Sequence, residues 1–131
     1  MPKIIHTMLR VLDLEKSKTF YKNVFDLRET HYVDYPEFAL HYLRGKHSDT
    51  ELELTFNKNR STPYELGDGY GHMAFAVDDL EAIHKKIGDL GVETGKIVEF
   101  KNDETLIAKF FFISDPDGYK IEILQRHGHY Q

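Results

Sequence analysis

Cysteine is absent from the 131-residue chain, which removes disulfides, thiolate nucleophiles and cysteine-based zinc sites together. Any bound metal must therefore use nitrogen and oxygen ligands. No apolar run approaches the roughly 18 residues that a membrane-spanning helix needs, and the N-terminus has no signal-like pattern. These two absences set the expectation of a soluble, cytoplasmic protein with no membrane partner. Basic residues are also short, at 17 Lys and Arg against 22 Asp and Glu, and a net charge of -5 with scattered lysines argues against nucleic acid. A small molecule is the ligand class that remains. What is present is enough apolar residue, 40%, to fill the core of one domain or of two half-domains. Eight histidines are a mild surplus, although most histidines in proteins sit at the surface or in structural hydrogen bonds.

From the N-terminus, Ile4 to Val11 reads as a strand whose alternation puts His6, Met8 and Arg10 on one face. Asp13 offers an N-cap to a helix over about Leu14 to Phe25. Arg28 to Arg44 suits two strands joined by a turn at Asp34-Tyr35-Pro36-Glu37. The next strand, about Asp49 to Asn57, alternates cleanly, with Leu52, Leu54 and Phe56 on one side and Glu51, Glu53, Thr55 and Asn57 on the other. By alternation alone its polar side would face water.

After a polar connection over 58–69 the pattern restarts with a strand at about Tyr70 to Val77. Asp78 reads as a cap with Glu81 three residues on, opening a helix from about Asp79 to Leu90 that Gly91 stops. Further strands follow up to Leu124. Asp115-Pro116-Asp117-Gly118 fits a type I turn, and the strand after it sets Ile121 and Ile123 on one face and Lys120, Glu122 and Leu124 on the other. A carboxylate in such an apolar strand needs a partner, because burying an unpaired charge costs several kcal/mol. Phe110 to Ile113 is apolar on both faces and reads as a strand buried by the helix on one side and lining the cleft on the other, with core packing as its role.

The two halves align. His6 and His72 each stand five residues before a valine and an acidic, leucine-bearing run; Glu53 follows His6 by 47 residues and Glu122 follows His72 by 50. Each half thus opens its first strand with His and carries Glu mid-way along its last, which points to an internal duplication of a β-α-β-β-β unit. The expectation is one α+β domain over 1–131, with module 1 at about 4–57, a linker at 58–69 and module 2 at about 70–124, forming a concave, barrel-like sheet. His6, Glu53, His72 and Glu122 would then converge on one cleft. Such a set suits Ni(II), Co(II), Mn(II), Fe(II) or Zn(II), with coordination positions left over for water or substrate.

The runs His6-Thr7-Met8-Leu9-Arg10-Val11, Glu53 to Asn57, Tyr70-Gly71-His72 and Asp115 to Glu122 closely resemble the signatures of the glyoxalase I (lactoylglutathione lyase) family of the vicinal oxygen chelate superfamily. The resemblance spans about Ile4 to Leu124. It implies isomerisation of the hemithioacetal of methylglyoxal and glutathione, or another low-molecular-weight thiol, to an S-D-lactoyl thioester through an enediolate. It also implies that His6, Glu53, His72 and Glu122 are metal ligands. Glu122 would be the catalytic base, with Glu53 handling protons on the other face. Compact members of the family prefer Ni(II) or Co(II), with Zn(II) the alternative, and form homodimers whose sites are shared across the interface. Arg10 and Asn57 match positions that hold the glutamyl end of glutathione. Where glutathione-using relatives carry a Gly- and Lys-rich segment for the glycyl carboxylate, this chain has Glu99-Phe100-Lys101-Asn102-Asp103-Glu104-Thr105. The rival readings are another metalloenzyme of the superfamily, such as an epimerase, dioxygenase or thiol transferase, and a metal-free small-molecule binding protein of the same fold. His31, His41, His47 and His84 carry no motif, and the tail Arg126 to Gln131 reads as a frayed end.

Overall fold

The computed structural model describes residues 1–131. The elements run β1 (His6–Val11), α1 (Leu14–Phe25), β2 (Arg28–Asp34), β3 (Phe38–Arg44), β4 (Glu51–Asn57), β5 (Met73–Val77), α2 (Leu80–Asp89), β6 (Val98–Asn102), β7 (Thr105–Ser114) and β8 (Lys120–Gln125). The chain divides into two compact units, Met1–Glu65 and Leu66–Gln131, and the division falls inside the polar stretch expected to link the modules. No helix is long and apolar enough to cross a membrane.

Each unit is a four-stranded sheet with one helix, in the order β1-β4-β3-β2 in the first and β5-β8-β7-β6 in the second. The outer pair is parallel in each, β1 with β4 and β5 with β8, and the remaining pairs are antiparallel. The α+β class and the β-α-β-β-β repeat are as the sequence predicts; the barrel-like sheet is not. Both sheets keep two free edges, since four strands twisting by about 20–25° from one to the next fall well short of the roughly eight needed for closure.

Local chemistry accounts for the elements. The Asp13 carboxylate caps α1 by accepting from the Lys16 N–H. In the second unit the cap is Asp79 and not Asp78, because the Asp79 carboxylate is the one that reaches the Ala82 N–H at 3.0 Å. Asp78 faces elsewhere and accepts from Arg126 Nε at 2.8 Å. Gly91, at φ 83°, takes the left-handed position just past α2. The helices bury Ser17, Tyr21 and Val24, and Leu80 and Ile87, respectively. The buried apolar strand residues of the first unit are Leu9, Val11, Ala39, Leu43, Leu52 and Leu54; in the second they are Ala108, Phe111, Ile113, Ile121, Ile123 and Leu124. Phe111 and Ile113 are thus core, whereas Phe110 and Phe112 lie half-buried on the other face of β7.

The turn into β8 is knotted by a carboxylate. Asp115 is 6% exposed, and its Oδ1 accepts the N–H groups of Asp117 at 3.0 Å and Tyr119 at 2.9 Å. Gly118 closes the turn with its N–H on the Asp115 carbonyl and adopts φ 92°, which a side chain would resist. The C-terminal tail is pinned and not frayed: His127 and Tyr130 bond each other through their backbones, and the His127 ring contacts the Leu106 carbonyl at 3.0 Å.

In the first unit a second charged knot ties α1 to the sheet. Glu29 on β2 meets Lys18 of α1 at 2.8 Å and His41 Nδ1 of β3 at 2.6 Å. Burial works to raise the Glu29 pKa, but the hydrogen bonds and charges of Lys18 and His41 outweigh it and hold the carboxyl below its usual range.

Both knots predict stability effects. Asp115→Ala strands two backbone N–H groups and should cost about 2–3 kcal/mol in urea unfolding, with Asp115→Asn costing less because an acceptor oxygen remains. A Glu with a depressed folded pKa stabilises fully above its unfolded pKa of about 4.3 and loses that contribution as pH falls through the folded value. Glu29→Gln should therefore lower stability near neutral pH and flatten its decline on the acid side, read from midpoints at a series of pH values.

Candidate functional site

Parallel register decides which side chains meet. In the first unit Met8 lies level with Glu53, so His6, two residues earlier on the same face of β1, is its diagonal neighbour. The side chains touch, with His6 Nε2 3.0 Å from Glu53 Oε1. In the second unit Ala74 lies level with Glu122, and His72, two residues earlier and just ahead of β5, brings its Nε2 to 3.6 Å from Glu122 Oε1. The duplication seen in the sequence is thus repeated in register.

Glu53 does not lie on a water-facing strand surface. Its side chain is 10% exposed, and that of Glu122 15%, against 35% and 44% for His6 and His72. Sheltered carboxylates beside accessible imidazole edges are not a solvated face, and their nitrogen and oxygen donors are of a kind that could take a cation. The distances agree with that use. Two donors in adjacent positions on an octahedral ion, each about 2.1 Å from it, stand about 3.0 Å apart. The first pair has that spacing, and the second is wider at 3.6 Å. Within each unit the structure brings the predicted ligands together as a pair, and no group of three or more metal-ligating side chains occurs.

Arg10 follows His6 and Met8 on the same face of β1, level with Thr55. Asn57, at the end of β4, donates through Nδ2 to the Tyr64 hydroxyl at 2.9 Å, and the Arg60 guanidinium covers the Tyr64 ring at 4.2 Å. The residues after β4 are thereby folded back on its polar face.

Two aromatic residues complete the surroundings, and neither stands out in the sequence. Tyr42 is directly opposite Glu53 on β3, and Phe112 is directly opposite Glu122 on β7. Tyr42 donates to Glu53 Oε2 at 3.3 Å. Burial, and after it the Glu53 charge and hydrogen bond, raise the Tyr42 pKa, so the hydroxyl keeps its proton at neutral pH. The duplication is the signal that finds both: Tyr42 precedes Glu53 by 11 residues and Phe112 precedes Glu122 by 10. Alongside Phe112 lies a groove of about 450 Å³, whose wall includes Glu93, Thr94, Gly95, Ser114 and Lys120. Ser114 pairs with Lys120 across the sheet as Phe112 pairs with Glu122, so the groove runs along the face that bears Glu122.

Comparison with known proteins adds independent findings. The chain matches the family model described as glyoxalase/bleomycin resistance protein/dioxygenase superfamily over residues 3–123. It is 42% identical over 132 aligned residues to a lactoylglutathione lyase of Neisseria meningitidis, covering 95% of this chain and 91% of that protein. A probable lactoylglutathione lyase of Synechocystis is also 42% identical, over 93% of this chain and 94% of its own. Among solved structures, the trypanothione-dependent glyoxalase I of Leishmania major superposes with a TM-score of 0.76 at 31% identity, covering 95% of this chain and 87% of that one.

Proposed function

The chain belongs to the glyoxalase/bleomycin resistance protein/dioxygenase superfamily, and we infer that within it the protein is a metal-dependent glyoxalase I. It isomerises the hemithioacetal of methylglyoxal and a low-molecular-weight thiol to the S-D-lactoyl thioester, a cytoplasmic detoxification. The observation that carries this reading is the pair of matched histidine-glutamate couples, at 3.0 Å and 3.6 Å, on equivalent strands of the two units. Lactoylglutathione lyases at 42% identity over nearly the whole chain support it.

His6, Glu53, His72 and Glu122 would hold a divalent ion, which acts as a Lewis acid stabilising the negative charge that develops during proton transfer. We favour Ni(II) or Co(II) over Zn(II) for this compact chain. The reaction moves one proton from the carbon bearing sulfur and hydroxyl to the neighbouring carbonyl carbon, and shifts one proton between the two oxygens. No oxidant or second reactant is consumed. Glu122 is assigned the carbon-to-carbon transfer as general base, and Glu53 the protons on the opposite face. Arg10 and Asn57 are assigned to the glutamyl end of the thiol.

Each unit taken alone supplies half of the ligand set, and we propose that the two are halves of one catalytic domain. In the homodimer we infer, one subunit's first unit and the other's second unit share each site. The thiol is glutathione or a relative of it. The β6–β7 hairpin carries Glu99, Asp103 and Glu104, and Glu99 is already paired with Lys101 at 3.4 Å, which makes the hairpin a poor seat for a glycyl carboxylate.

Chelator-stripped protein refilled in turn with Ni(II), Co(II), Mn(II) and Zn(II) should form thioester from methylglyoxal and glutathione with nickel or cobalt and not with zinc. The assay is run in parallel with trypanothione, and failure with every metal and both thiols overturns the assignment. Shared sites predict complementation. His6→Ala and His72→Ala homodimers should each be inactive, whereas an unfolded and refolded equimolar mixture should recover about a quarter of wild-type activity, since half the dimers are mixed and each has one intact site. No recovery overturns the shared arrangement.

A further inference from the structure

The two carboxylates assigned to the metal are equivalent by strand and register, but their neighbours are not. Tyr42 faces Glu53 and Phe112 faces Glu122 at matching positions of the antiparallel partner strands. Each ring stands edge-on to the histidine of its own unit, Tyr42 to His6 at 5.7 Å and 69° and Phe112 to His72 at 5.3 Å and 83°. The two facing rings, phenol and phenyl, differ by a single oxygen atom. Through it Tyr42 holds Glu53 Oε2, while Glu53 Oε1 faces His6. Phe112 has no proton to give Glu122.

Tyr42 is itself braced. His31 packs against its ring at 5.7 Å, and the Thr30 hydroxyl lies 3.3 Å from its backbone carbonyl. The Thr30 proton goes to the Glu51 carboxylate on β4. The hydroxyl that holds Glu53 is therefore the tip of a fixed ring, and it can orient the group it touches.

Resting on the reading of this site as glyoxalase I, we propose that Tyr42 is a positioning residue that makes the two carboxylates unequal. It fixes Glu53 through Oε2, leaves Oε1 for the metal, and so leaves Glu122 as the carboxylate free to leave the ion and carry the proton. For Glu53 to swing away it would have to break a hydrogen bond to a charged group; Glu122, opposite a phenyl ring, breaks none. Any proton that Glu53 handles it handles in place. Partners of metal-ligating groups typically change affinity or activity by about 10–100-fold when removed, and a hydrogen bond of 3.3 Å belongs at the low end.

The test exchanges the one atom in each direction. Tyr42→Phe should weaken Co(II) binding to the metal-stripped protein by about tenfold and alter the visible spectrum of the bound cobalt. Phe112→Tyr, which offers Glu122 the same tether, should leave Co(II) binding as tight or tighter but lower kcat by about tenfold at unchanged KM. Wild-type cobalt affinity and spectrum in Tyr42→Phe, or a wild-type kcat in Phe112→Tyr, overturns the division of roles while leaving the glyoxalase reading intact. A wild-type protein that neither binds Co(II) nor isomerises the hemithioacetal overturns both.

Discussion

The structure depends on one kind of contact, the parallel pairing of the first and last strands of each unit. A parallel neighbour cannot be reached by a tight turn, so a helix and two further strands are spent before β4 returns to β1 and β8 to β5. That return brings His6 within 3.0 Å of Glu53 across 47 residues of sequence. It also makes β4 and β8 interior strands, each with a parallel neighbour on one side and an antiparallel one on the other. A carboxylate at their centre therefore meets side chains from both directions: His6 and Tyr42 for Glu53, His72 and Phe112 for Glu122.

The register of those strands is enforced from the opposite face. Leu54, Ile121 and Ile123 are fully buried, and each contributes about 1.5–3 kcal/mol by its burial. A slip of one residue would turn them out and the glutamates in, so the core holds the site residues in line more firmly than they hold one another. The polar face can then carry sheltered carboxylates that an isolated strand would not tolerate. Their electrostatic cost is met in part by the side chains they touch, His6 and Tyr42 for Glu53 and His72 for Glu122.

Duplication supplies two copies of one histidine-glutamate couple, and divergence has given them different neighbours. Strand order, the parallel pair and the histidine-glutamate couple are common to both units. The differences are small and local: a hydroxyl on Tyr42 that Phe112 lacks, and a carboxylate knot at Asp115 ahead of β8.

Periodicity and turn chemistry sufficed to read both helices, the strand turn at 34–37 and the turn at Asp115, because each depends on residues close together in the chain. The repeat made the two histidine-glutamate couples legible, since a duplicated pattern carries information that no single His or Glu does. Choosing Asp79 over Asp78 as a helix cap, tying down the tail through His127, and keeping two open sheets in place of a barrel were decided by tertiary contacts. Tyr42 shows the limit most clearly: alternation puts it on a strand face, but only the pairing of β3 with β4 says that its hydroxyl ends on Glu53. A sequence determines which face a side chain takes; which side chain it meets there depends on strand register, which the packing of the whole unit sets.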